Sequence, residues 1–215
     1  MNGNHSAGVR ETRLVHEVHR RATSLLAELL ALPTVPVAAD ELRDFVVEML
    51  EHHHTCEDQD LWPLILARAP SLENPLRVLT DEHDDLQARL DRLKVQAIDS
   101  GRPDREAATV AATVRDRVSE HLAHEEPVLF PALDRHVPDN DWDSFSIRAV
   151  ASAPQTGLPF LLALIHEVGP PADAELIFRH VPDEARLMIP AKRAAGEDAI
   201  ADLRSHVASY SGGRR

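Results

Sequence analysis

The chain has 215 residues, 43% of them hydrophobic but only 4% aromatic, and a formal net charge of −13. That length buries one core with room for a helical annex, and the negative balance excludes nucleic acid and anionic membranes as partners, since both demand a basic patch. A single cysteine, Cys56, excludes an internal disulfide framework, and with a polar start over residues 1–8 and no apolar run of about 18 residues the expected location is cytoplasmic.

Few glycines and an apolar content made mostly of Leu, Ala and Val favour helix over sheet. The spacing predicts a first helix over 9–32, with Leu14, Val15, Val18, Ala22, Leu25, Leu26, Leu29 and Leu30 recurring at three and four. Pro33 and Pro36 end it. A second starts after Asp40, read as its N-cap, and runs through Phe45, Val46, Met49 and His53 to about 62, where Pro63 perturbs it. A third covers 74–98, with Leu76, Leu79, His83, Leu86, Leu90 and Leu93 on one stripe. Gly101 and Pro103 break the chain before a fourth helix over 104–130. Four amphipathic helices on short connections make an all-α, up-down-up-down bundle, assigned to residues 9–137.

After Trp142 the character changes. Prolines at 154, 159, 170, 171, 182 and 190 cut the remainder, 140–210, into short helices over 158–168, 172–180 and from 182 onward. This extension has apolar faces and must pack either on the bundle or on a second copy. The tail, 211–215, is expected to fray.

The chain carries 13 histidines, most of them in its first two thirds. Two stretches repeat a pattern: His53 and Glu57 followed by Leu61-Trp62-Pro63, and His121 and Glu125 followed by Leu129-Phe130-Pro131. Residues four apart share a helix face, so each His-x-x-x-Glu pair projects together. His53, His121 with Glu125, and His83 all fall on the apolar arcs of their helices. Burying carboxylates is costly unless a positive group pairs with them, and no Lys or Arg lies on these inner stripes. A cation must come from outside the chain, and imidazole with carboxylate suits iron, manganese or zinc. On the first helix His19 lies about 50° from the centre of the apolar arc and His16 about 110°; His19 is favoured, with His16 and His124 as alternate or outer groups. His52 and His54 read as solvent-side or outer groups, and Cys56 as a small core filler.

These residues resemble the hemerythrin-like, or HHE cation-binding, family. The carrying pieces are His19-Arg20, the run His52-His53-His54-Thr55-Cys56-Glu57-Asp58 leading to Leu61-Trp62-Pro63, Glu82-His83, and His121 to Pro131. The C-terminal third resembles the extension of some actinobacterial members. The resemblance implies two iron ions bridged by an oxo or hydroxo group and by Glu57 and Glu125, with His19, His53, His83 and His121 as terminal ligands. One departure stands out. Oxygen carriers of the family place a second His four residues after the third-helix His, where this chain has Gln87. The implied function is binding of O2, nitric oxide or peroxide; the rivals are a catalase- or peroxidase-like enzyme and an iron-responsive regulatory module. The sequence leaves the oligomeric state open.

Overall fold

The computed structural model describes residues 5–96, 98 and 104–211. Within them the chain is helical, and no helix is long and apolar enough to cross a membrane. The break expected at Gly101 and Pro103, and residues 212–215 of the tail, lie outside the described residues.

Helix α1 (Ala7–Leu30) starts where the Ser6 hydroxyl accepts the Val9 N–H at 3.3 Å, satisfying one of the donors that a helix start leaves free. Helix α2 (Ala38–Cys56) begins two residues before the expected cap. Asp40 therefore sits inside the first turn, where its charge faces the positive helix end, and pairs with Arg43 at 2.7 Å. Beyond Cys56 the helix widens into a π turn, Glu57–Leu61, closed by the Trp62 N–H on the Glu57 carbonyl, and continues as α3 (Trp62–Leu66). Pro63 supplies the reason: it has no N–H to donate, and in a regular helix its ring would strike the carbonyl four residues back. Helix α4 (Glu73–Lys94) buries the expected stripe but stops before 98. There the Arg43 guanidinium donates to the Gln96 carbonyl at 2.7 Å and holds the exit. Helix α5 (Arg105–His136) is capped by Asp104, whose carboxylate accepts from the N–H groups of Glu106 and Ala107. It runs past 130 and through both Pro127 and Pro131. Burial of Leu129 between those prolines and of Ala132 and Leu133 beyond them holds the helix together where propensity would end it.

Helices α1, α2, α4 and α5 close a four-membered ring, α1 on α2, α2 on α4, α4 on α5 and α5 back on α1. The extension adds α6 (Asp139–Ser152), which the sequence reading did not separate, then α7 (Leu158–Val168), α8 (Pro171–Phe178), a single turn α9 (Asp183–Arg186) and α10 (Ile189–Ser211). Pro154 lies in the link between α6 and α7, and the other prolines of the extension stand at helix starts, where a missing N–H is harmless. Of the two expected supports it uses the bundle: α6, α7, α8 and α10 all touch α1, and α10 lies along α7. That crossing is close enough that a Cβ on Gly196 would collide with the Pro159 carbonyl. Helix α1 is thereby enclosed by bundle and extension together.

Candidate metal centre

Each bundle helix sends a donor to one interior volume. On α2 and its π turn, His53 Nε2 lies 3.4 Å from Glu57 Oε1. On α5, His121 Nε2 lies 3.4 Å from Glu125 Oε2. From α4, His83 Nε2 stands 3.6 Å from Glu57 Oε2 and 3.2 Å from His121 Nε2. From α1, His16 Nε2 stands 3.5 Å from Glu125 Oε2. His16 and Glu125 are 0% exposed, and Glu57, His83 and His121 no more than 3%.

The donors fall into two groups. His16, His53, Glu57 and Glu125 bring ligand atoms within 4.8 Å of one another, and so do His54, His83 and His121. Both carboxylates face both groups: Glu57 meets His53 and His83, and Glu125 meets His16 and His121. This placement suits two cations sharing two carboxylates.

Hydrogen bonding tests the fit. Among the described residues, Nε2 of His16, His19 and His53, Nδ1 of His54, and all four carboxylate oxygens of Glu57 and Glu125 are buried without a hydrogen-bond partner. Neither carboxylate meets an Arg or Lys among those residues. So many orphaned donor atoms in one place would be heavily destabilising in a core that nothing else completes. The outer nitrogens, by contrast, are anchored. His83 Nδ1 donates to Asp58 at 3.0 Å, His121 Nδ1 to Glu82 at 2.8 Å and His16 Nδ1 to Glu126 at 3.1 Å. A carboxylate on Nδ1 keeps the proton there and turns the Nε2 lone pair inward, which is how metal-ligating imidazoles are held.

Electrostatics agree with that fit. Burial, reinforced by neighbouring imidazoles, holds His53 and His54 well below their usual range and His19 down to about 3, so all three stay neutral, the form that ligates. Burial and the nearby Glu125 push the Glu57 carboxyl well above its ordinary value. Burial opposes the charge on Glu125 as well, but His16 and His121 outweigh it and hold that carboxyl low. Without a cation the pair therefore favours one proton between them; two cations would allow both to ionise.

The structure brings His53, Glu57, His83, His121 and Glu125 together. His16, the alternate from α1, joins the tight group, while His19 stands beside it, its ring 4.8 Å from that of His53. His124 is exposed and donates to Glu82 at 2.8 Å, outside the cluster. Gln87 donates to Glu51 and Asp91 and turns away. His54 departs from the solvent-side reading: it is 5% exposed and stacks on His83 with ring centroids 4.2 Å apart. His52 is half-buried and bonds the Ala149 carbonyl. Cys56 is half-buried too, and burial pushes its thiol up, against a thiolate role. Sequence reasoning missed Asp58, Glu82 and Glu126 as anchors. The signal was there, since each His-x-x-x-Glu motif is followed at once by a second acid, Asp58 and Glu126.

A sequence model of the hemerythrin HHE cation binding domain matches residues 10–133, more than half of the chain. Neither the curated proteins nor the solved structures contain a match.

Proposed function

The chain belongs to the hemerythrin HHE cation-binding family, and from that premise we propose that it is a di-iron protein that binds O2 or a related small molecule, nitric oxide or peroxide. The observation that carries the reading is the set of buried, unpartnered nitrogens and carboxylate oxygens from α1, from α2 with its π turn, and from α5, with His83 of α4 facing them. His16 and His53 would hold one iron, His83 and His121 the other, with Glu57 and Glu125 shared. His54 belongs to the second group and is a further donor there, and His19 stands beside the first. His54 on α2 supplies an imidazole near the iron that the absence of a His at 87 would leave short. When bound, a reduced iron pair with an open position supplies affinity for diatomic gases and for peroxide.

The test is metal content with an optical spectrum on protein purified without added metal. About two irons per chain, with the near-ultraviolet absorption of a bridged ferric pair, is the expected result. Glu57→Ala and Glu125→Ala should each abolish two-metal binding; full iron occupancy in both would end the bridging assignment.

A second reading, a peroxide-consuming enzyme, is favoured by one feature. Exposed His124 shares Glu82 with buried His121, a hydrogen-bonded route by which protons could pass between solvent and the cluster. On that reading His124→Ala slows O2 release from peroxide while iron content stays unchanged. No release by the iron-loaded wild type would leave binding as the function.

A further inference from the structure

A cavity of about 140 Å³ lies where the extension covers α1 and α2. One part of its wall is the cluster itself, through His19, His53 and Glu57. The rest is mostly apolar and comes from both parts of the chain: Val15 from α1, Met49 from α2, Phe145 and Ala149 from α6, and Leu161 and Ile165 from α7. Along α1, Glu11, Val15 and His19 follow at four-residue steps, so the lining runs about 12 Å up one face of the helix. The His19 Nε2 is buried and unpartnered in that wall.

Size and chemistry narrow the occupant. An apolar cavity of about 150 Å³ accepts benzene, whereas a diatomic gas needs roughly the room of one water, about 30 Å³. Among the described residues no Lys or Arg lines the cavity, so an anion has no counter-charge there. Of the carboxylates in the wall, Glu57 serves the metal centre and Glu11 is engaged by Ser146 and Arg179, so an organic cation would lie against largely hydrocarbon surface at high cost. We propose that the cavity binds a neutral, apolar organic molecule of about benzene's size and holds it against the metal centre. Binding follows from the cavity alone; the placement beside a metal rests on the di-iron reading. The extension, on this account, gives the bundle a pocket for an organic ligand that the four helices could not enclose by themselves.

Benzene is the probe, titrated into the full chain with and without iron and followed by calorimetry and by ligand-observed proton resonance. One saturable site is expected in both forms. Ala149→Leu and Val15→Phe, which fill the cavity from α6 and from α1, should each weaken binding by about tenfold or more, with helix content and iron content unchanged. In the iron-loaded protein the bound benzene signal should broaden through its nearness to the paramagnetic pair. Absence of saturable binding to the wild type overturns the proposal. So does binding that neither variant weakens, or uptake of xenon without benzene, which would mark a gas reservoir. The two readings fail separately: benzene binding to a chain that takes up no iron keeps the cavity and removes the metal, and iron without benzene does the reverse.

Discussion

At the scale of single residues, the acids behind the imidazoles decide how well the site works. Glu82 accepts from both His121 and His124, and the hydrogen bonds it makes hold its carboxyl below the usual range despite partial burial. Replacing it with Gln keeps the shape but removes the charge that makes His121 a stronger base. Glu82→Gln should therefore weaken iron binding about 10- to 100-fold while leaving the far-ultraviolet circular dichroism unchanged. Competition against a chelator measures it, and an unaltered affinity would show that Glu82 only decorates the surface. Part of this layer was readable, because the half-repeat carries a second acid after each Glu. The α1 donor was not. An apolar arc identifies the inward residue only when a helix has one buried side, and α1 is covered by α2, α5, α6, α7 and α8. His16 and His19 are consequently both buried, at 0% and 2% exposure, and it is the acids of α5, Glu125 and Glu126, that single out His16. His54 escaped for a related reason: it sits between α2's inner arc and the stacked ring of His83, a neighbour that local periodicity does not see.

At the scale of elements, the bundle helices were legible because each repeats its apolar residues over several turns. What lay hidden were features in which two principles compete. Pro63 and Pro131 occupy matching places in the half-repeat, yet one forces a π turn and the other is absorbed in a continuous helix. Helix α6 is mostly polar and buries Trp142, Phe145 and Ser146 only because α1 lies beneath it. The joint there is Glu11, 3% exposed, which accepts from the Ser146 hydroxyl at 2.7 Å and meets Arg179 at 3.3 Å, with Asp143 and His180 also facing the joint. Burial pushes its carboxyl above the ordinary 4.5, against the opposing pull of Ser146, Trp142 and Arg179. A carboxyl that holds its proton more tightly when folded adds stability below its unfolded value and loses it as pH rises through the folded one. Relative to Glu11→Gln, the wild type should therefore lose stability as pH climbs above 4.5, while the variant stays flatter. Denaturation midpoints of the metal-free proteins, compared pH by pH, read the difference. Parallel curves would mean that the joint carries no proton linkage.

At the scale of the whole molecule, the interior of the bundle is built for a guest at the expense of its own stability. Two carboxylates and a crowd of imidazoles occupy the volume where Leu and Val would otherwise close the core. A cation that binds only the folded chain stabilises it by mass action, about 4 kcal/mol at a thousandfold excess over the dissociation constant, and in a chain of this size that raises the melting temperature by roughly 10 °C. Glu57 sharpens the contrast, because its carboxyl carries a raised proton affinity through burial and the Glu125 charge. Glu57→Gln removes that burden from the metal-free state and, at the same position, deprives the metal of a shared ligand. The substitution should raise the melting temperature of the metal-free protein by a few degrees and lower that of the iron-loaded protein by more. Calorimetric scans with and without iron would show the two effects crossing. A variant that melts lower in both states would mean that Glu57 supports the fold directly, and that its burial serves packing more than a metal.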